Sequence, residues 1–172
     1  GMGGIGKTTA AKAIYNQVYH KFEFKSFLTD VSDTGNKHGM VHLQEKLIFD
    51  ILKKKSQISS VDGGISLIKQ HFQCRRVLVI IDNVDEVEQL NAIAGNHDWF
   101  GPGSRIIITT RDEHLLKQVD KTYPAQKLNK EEALELLSWH AFGNSYPNEG
   151  YLELSKEVVS YCGGLPLALK NL

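Results

Sequence analysis

The first eight residues combine glycines, a lysine and a threonine in a spacing that suits phosphate binding. The segment GMGGIGKT at 1–8 satisfies the pattern GxxxxGK[ST], whose glycines let backbone N–H groups face a phosphate. Lys7 can offer a compact positive charge to terminal phosphates, and the Thr8 hydroxyl can bind Mg²⁺. A helix that begins near Lys7 would add the positive end of its dipole. The alternative is a flexible glycine-rich tail before an ordinary helix.

A second candidate group is an acid that ends an apolar run. The segment VLVIIDNVD at 77–85 is aliphatic up to Asp82, which is typical of a strand buried on both faces of a parallel sheet. Such a strand brings its last residue to the edge of the sheet where ligands bind, and there Asp82 can hold Mg²⁺. The alternative is that Asp82 only begins a turn, as Asp often does after a strand.

A cation follows the next apolar run. Arg111 comes just after the predicted strand 105–109, where it can contact the terminal phosphate of a nucleotide and so report its presence. It can equally pair with Asp112 or Glu113 on the surface, and both alternatives stay open from the residues alone.

Helices alternate with short apolar runs over residues 1–127, which predicts an α/β part with a parallel sheet covered by helices. A polar, glycine-containing stretch predicts a loop over 56–64. The predicted helices cover 7–19 and 40–52, and the predicted strands cover 26–31, 76–82 and 105–109. The buried side of the first helix is expected to be formed by Ala10, Ala11, Ala13, Ile14 and Val18.

The pattern becomes helical only over 128–172, which predicts a second, smaller helical part. Asn129 and Glu132 form a capping box at the start of one helix, and Gly143 is placed to end it. A further helix is predicted over 151–162. Leu154, Val158 and Tyr161 are expected to share its apolar face, and Gly163 is placed to end it.

The composition excludes several classes of protein. The chain has 172 residues, of which 41% are hydrophobic, so it can bury a core. Twenty basic residues balance twenty acidic ones, which argues against nucleic acid or an anionic membrane as the main partner. The longest aliphatic run, Val77–Ile81, is far too short to cross a bilayer. The lone Cys74 and Cys162 indicate a reducing compartment and two small core residues.

Ordered motifs in this chain resemble the nucleotide-binding (NB-ARC) domain of plant disease-resistance proteins. They are GMGGIGKTT at 1–9, LVIIDNVD at 78–85, GSRIIITTRD at 103–112, LNKEEALELLSWHAFG at 128–143 and CGGLPLAL at 162–169. The likeness covers essentially the whole chain. The second motif ends in Asp85, and in this it resembles the motif of the class that carries a Toll/interleukin-1 receptor (TIR) domain.

The resemblance implies a P-loop NTPase fold followed by a small helical (ARC1-like) subdomain, with the central strand before the first motif missing from this chain. It implies a cytoplasmic or nuclear switch, held off by ADP and activated by ATP. Its partners would be the TIR and leucine-rich-repeat domains of the parent protein, and other copies of that protein in an oligomer. By position, the phosphates and Mg²⁺ would be held by Gly1, Gly3, Gly4, Gly6, Lys7, Thr8 and Thr9.

The resemblance also implies roles for three residues outside the first motif. Asp82 would bind the metal together with Thr8, and Arg111 would sense the terminal phosphate. Pro166 would lie against the adenine and the ribose side of the nucleotide. As a residue, Pro166 is also suited to the first position of a helix, and the two roles are compatible.

One position departs from the family pattern. Asn83 stands where many relatives carry a second acid, which polarises the attacking water, and an amide cannot accept a proton. We therefore expect nucleotide binding with slow ATP hydrolysis at most. The alternatives are a small-molecule phosphotransferase on the same fold, which would need an arginine-rich lid that 123–150 lacks, and a scaffold that binds no nucleotide.

Overall fold

A computed structural model describes residues 2–34, 37–117 and 119–171, and the chain divides into two compact units. One unit is Thr8–Asp120, and the other combines Gly1–Lys7 with Lys121–Leu172. The subdomain boundary that we place after residue 127 stays a prediction.

The unit Thr8–Asp120 contains an alternation of helices and strands, as predicted. In chain order, the elements are α1 Lys7–Val18, β1 Phe24–Leu28, α2 Lys37–Leu52, α3 Val61–Phe72, β2 Val77–Val84, α4 Val87–Ala94 and β3 Arg105–Thr110. Strand β1 covers 24–28 rather than the predicted 26–31, because Asp30 has a left-handed φ of 54° and a 3₁₀ turn begins at Val31. Helix α4 is not among the predicted elements.

The strands of the described residues form a parallel sheet in the order β1–β2–β3, which confirms the predicted fold class. Side chains of the central strand β2 alternate between two cores. Val77, Val79 and Ile81 pack against α2, α3 and α4 on one face of the sheet. Leu78 and Ile80 pack against α1 on the other face. The predicted burial of this strand on both faces is therefore confirmed, and its last residues lie at the carboxyl edge of the sheet.

Helix α1 contacts the sheet along a narrower strip than we predicted. Ala11 is buried, and Tyr15 and Val18 pack beside it at intervals of one and two turns. A single strip of contact leaves the flanking positions in solvent, so most of the predicted buried side is wrong. The exposed residues of that side are Ala10, Ala13 and Ile14.

The predicted loop at 56–64 is wrong in its second half, because helix α3 begins there. The Ser60 side chain caps the helix by accepting a hydrogen bond from Gly63 N at 3.1 Å. Ile68 and Phe72 on the same helix are fully buried in the main core. The burial of this apolar face outweighs the low helix propensity of the two glycines in the first turn.

A buried glutamine joins three helices of this unit. Gln44 on α2 is fully buried, and its Nε2 donates to the carbonyl oxygens of Val61 and Ala92 at 3.0 and 2.8 Å. Gly64 on α3 lies directly against this side chain, and an added Cβ there would overlap the Gln44 carboxamide. The position therefore requires glycine because of close approach rather than because of a special φ.

The unit that includes Lys121–Leu172 contains three described helices around a small apolar core. They are α5 Lys130–Phe142, α6 Leu152–Cys162 and α7 Pro166–Lys170. Asn129 Oδ1 accepts from Glu132 N and Glu132 Oε2 accepts from Asn129 N, both at 2.9 Å, which confirms the predicted capping box. Gly143 ends α5, also as predicted. The core consists of Ala133, Leu137, Val159 and Leu169.

The predicted apolar face of α6 is only partly buried, since Val158 packs against the core and the other two residues do not. Leu154 is 57% exposed and Tyr161 is 91% exposed, whereas Ser155 and Val159 are buried. The buried line therefore lies one residue further along, a rotation of about 100° around the helix. Hydrophobicity alone favours Leu and Tyr, but the line that packs inward carries Ser155 and Val159, and Val159 joins the core with Ala133, Leu137 and Leu169.

Two expectations from composition can be compared with the structure. Cys74 is exposed and Cys162 is half-buried, so the prediction of two core cysteines is wrong for Cys74. Among the described residues, no helix has the length and apolar character that crossing a membrane requires.

We predict that Gly64→Ala destabilises the protein by about 1–3 kcal/mol, because the new methyl group overpacks against Gln44. Urea unfolding followed by circular dichroism measures this change. Gly63→Ala is the matched control, since a Cβ there would lie 3.2 Å from the Ser60 hydroxyl and would not overlap the buried carboxamide of Gln44. Equal stability of the two variants would contradict the packing argument.

Candidate functional site

The loop before α1 is curled by its glycines. Gly4 and Gly6 have φ angles of 74° and 94°, a region that side chains with a Cβ rarely adopt. Lys7 Nζ donates to the Met2 carbonyl oxygen at 2.8 Å and so joins the two ends of the loop. Helix α1 begins at Lys7, as predicted, and its first turn contains no acidic residue. Its N-terminal N–H groups therefore face no competing carboxylate from that turn.

The same loop contacts the start of α7, which belongs to the same unit. Leu167 N donates to the Gly4 carbonyl oxygen at 3.2 Å. A Cβ on Gly4 would lie 2.8 Å from Leu167 Cβ, so close packing as well as φ requires glycine there. Pro166 begins α7, which confirms its predicted helical position, and its ring borders Gly6. Contact between Pro166 and a nucleotide stays a prediction.

The structure brings together the two predicted metal ligands. Thr8 Oγ1 lies 3.0 Å from both Asp82 Oδ1 and Asp82 Oδ2, although 74 residues separate them in the chain. Asp82 is only 2% exposed, so its carboxylate depends on such donors in place of water. The hydroxyl from α1 and the acid from β2 thus form one oxygen-rich group at the carboxyl edge of the sheet.

A bulge in β2 aims this acid. Ile81 is opposite Ile108 and Val84 is opposite Thr110, so two residues of β2 face the single Thr109 of β3. At the bulge, the side-chain hydroxyl of Thr109 accepts the hydrogen bond from the β2 backbone. Thr109 Oγ1 accepts from Asn83 N at 2.9 Å and lies 2.5 Å from Asp82 Oδ1. The sequence offered one signal for this residue, namely a threonine at the end of an otherwise aliphatic strand.

A cavity of about 290 Å³ opens beside the bulge. Its walls carry the predicted Arg111 together with Asp33 and Asp85, so one cation and two acids line it. Asn83 also lines it, and its Nδ2 donates to Ser32 Oγ at 2.5 Å. The structure therefore places Arg111 and Asn83 in one cavity of the α/β unit, and contact of either residue with a phosphate stays a prediction.

The remaining predicted phosphate residues are placed as follows. Gly3 is half-buried in the loop, and Thr9 is exposed in the first turn of α1. Gly1 lies outside the described residues.

The donor set fits Mg²⁺ that arrives with a nucleotide. Mg²⁺ prefers oxygen ligands and is usually held by one or two carboxylates together with substrate phosphates. Thr8 and Asp82 supply the oxygens. Among the described residues, no group of three His, Cys, Asp or Glu residues can hold a metal ion by itself. The arrangement suits a metal–phosphate complex rather than a metal held by protein side chains alone.

Comparison with known proteins identifies relatives of this chain. The NB-ARC domain family matches residues 1–146. The chain is 47% identical to disease resistance protein RPV1 of Vitis rotundifolia over 176 aligned residues, which cover 100% of this chain and 13% of that protein. It is 41% identical to TMV resistance protein N of Nicotiana glutinosa, over 99% of this chain and 15% of that protein. The chain thus spans about one seventh of these relatives.

Asn83 has a φ of 63°, in the left-handed region. We therefore predict that glycine at this position gives a more stable protein than alanine, the reverse of the order expected at an ordinary position. Both Asn83→Gly and Asn83→Ala remove the contact with Ser32. We expect the alanine variant to be less stable by about 1 kcal/mol, because left-handed backbone strains any residue with a Cβ. Denaturant unfolding measures the difference. A more stable alanine variant, as expected at an ordinary position, would contradict the role of the bulge.

Proposed function

The chain belongs to the NB-ARC family and is a nucleotide-binding module, and from this premise we propose that it acts as an ADP/ATP switch in an intracellular plant immune receptor. The observation that carries the proposal is the pairing of Thr8 with the buried Asp82. The pairing brings a hydroxyl that follows a glycine-rich loop and a lysine to a carboxylate at the carboxyl edge of the sheet, and these are the oxygen groups that a Mg²⁺–nucleotide complex needs.

In this proposal, the loop and the first turn of α1 hold the phosphates. The phosphate-binding residues are Gly1, Gly3, Gly4, Gly6, Lys7, Thr8 and Thr9. Thr8 and Asp82 hold Mg²⁺, which neutralises charge on the phosphate oxygens when it is bound. Pro166 lies against the adenine and the ribose side, which its position beside Gly6 supports.

Arg111 distinguishes the two nucleotides. A triphosphate carries one more anionic group than a diphosphate, and the cavity that contains Arg111 is where we place that group. A ligand shifts a conformational equilibrium only by its differential affinity for the two states. A change from mostly inactive to mostly active receptor needs about 5 kcal/mol of such difference, which a few charge-assisted contacts can supply.

The relatives support a role for this module within a larger receptor, since the two compared above are resistance proteins of plants. Asp85 favours the class with a TIR domain. The module would then work with TIR and leucine-rich-repeat domains of its parent protein in the cytoplasm or nucleus, and the active form would assemble with other copies of that protein.

Identification of a retained nucleotide tests the proposal. The full-length protein is purified without added nucleotide and denatured, and the released small molecules are separated by chromatography. About one ADP per chain supports the switch. Consumption of ATP with phosphorylation of an added acceptor indicates a phosphotransferase instead, and the absence of any nucleotide after ADP has also been offered indicates a scaffold.

We predict that Lys7→Arg abolishes nucleotide retention in this assay. The guanidinium is larger than the ammonium and places its charge differently within a loop whose ends Lys7 joins through Met2. Lys12→Arg is the matched control, because Lys12 is an exposed residue further along the same helix. A Lys7→Arg protein that still carries stoichiometric ADP would refute the assigned role.

We predict that Asn83→Asp accelerates single-turnover ATP hydrolysis in the full-length protein. The new carboxylate restores a proton acceptor beside Arg111 and should raise the rate roughly a hundredfold, the lower end of what a positioned general base contributes. Asn91→Asp makes the same chemical change at an exposed position of α4 and should leave the rate unchanged. An unchanged rate in the Asn83→Asp protein would show that the amide is not what limits hydrolysis.

A further inference from the structure

We propose that Thr109 is a positioning residue for Mg²⁺-dependent nucleotide binding, acting through Asp82. The inference rests on the proposed function and deepens it, since Thr109 would touch neither the nucleotide nor the metal. Thr109 lies in the motif at 103–112, but its role is inferred from the hydrogen bonds around the bulge.

The hydroxyl of Thr109 has one proton, and its two neighbours fix where that proton points. Asn83 N–H is a donor and lies 2.9 Å from Thr109 Oγ1, so the oxygen accepts there. The proton is left for Asp82 Oδ1, at 2.5 Å. Thr109 therefore links the backbone of the bulge to the carboxylate in one defined direction.

Asp82 consequently accepts from two hydroxyls that come from different elements. Thr8 approaches from α1 and contacts both carboxylate oxygens, whereas Thr109 approaches from β3 and contacts only Oδ1. If Thr8 turns toward Mg²⁺, as its proposed role requires, Thr109 remains as the donor that keeps the carboxylate in its orientation. This is the function of outer groups that orient metal ligands.

The hydrogen bond between Thr109 and Asp82 matters because both residues are buried. Thr109 is 8% exposed and Asp82 is 2% exposed, so water replaces a lost hydrogen bond poorly. Without the hydroxyl, Asn83 N–H also loses its partner, and the bulge that aims Asp82 loses its link to β3. The carboxylate is then free to rotate away from the orientation in which it binds a metal.

The neighbouring Thr110 provides an internal control. It is 7% exposed and lies on the same strand, but its hydroxyl pairs with the backbone of Asp112. Removing that hydroxyl thus repeats the chemical change and the burial of the Thr109 substitution without touching Asp82.

The test measures the affinity of the full-length protein for mant-ADP at increasing MgCl₂ concentration and again in excess EDTA. We expect Thr109→Val to raise the Mg²⁺ concentration for half-maximal effect roughly tenfold, the lower end of what loss of an outer-shell partner costs. Its affinity in EDTA should match that of the wild type. Thr109→Ser should restore most of the Mg²⁺ dependence, and Thr110→Val should behave as the wild type.

The outcomes separate a failure of the positioning role of Thr109 from a failure of the proposed function. If the wild type binds mant-ADP and Thr109→Val keeps the wild-type Mg²⁺ dependence, the positioning role is wrong while the proposed function stands. Equal losses in MgCl₂ and EDTA, or the same loss in Thr110→Val, also overturn it in favour of a structural role. If Thr109→Val fails to fold, Thr109→Ala answers the same question with a smaller side chain. A wild type that binds no mant-ADP overturns the proposed function and this inference together.

Discussion

Asp82 is an ionisable group that water barely reaches, and the α/β unit is organised so that its oxygens are nevertheless hydrogen-bonded. A buried carboxylate without donors is costly, and here the donors come from α1 and β3 while the acid comes from β2. The position of α1 on one face of the sheet and the register of β3 against β2 therefore both serve one side chain. The rest of the site depends on this meeting of α1, β2 and β3 at Asp82.

The bulge shows how one extra residue serves two requirements at once. It turns Asn83 into the left-handed region, which Asn tolerates better than most residues, and it lets Asp82 point toward Thr8. The amide at this position also changes the chemistry of the cavity beside it, because it carries neither the charge nor the basicity of an acid. A geometry that favours holding a nucleotide over hydrolysing it is consistent with the switch that we propose.

Several elements follow directly from local patterns. The start of α1 after the glycines, the buried character of β2 and the capping box of α5 depend on residues within one or two turns or a few alternating positions. In each case the interaction is short in sequence, so the residue types carry the answer. The glycine-rich loop belongs to the same group, since φ angles at Gly4 and Gly6 are properties of single residues.

The sequence by itself determined the fold class, the candidate phosphate loop and the candidate acid, because motif spacing and hydrophobic period are local. Tertiary structure alone decided which side of α6 is buried, that 61–72 is helical, and that Thr109 reaches Asp82. Each of these depends on a partner far away in the chain: the core around Val159, the side chain of Gln44, and the register between two parallel strands. Contacts of that range are set by close packing and strand pairing, and no local pattern encodes them.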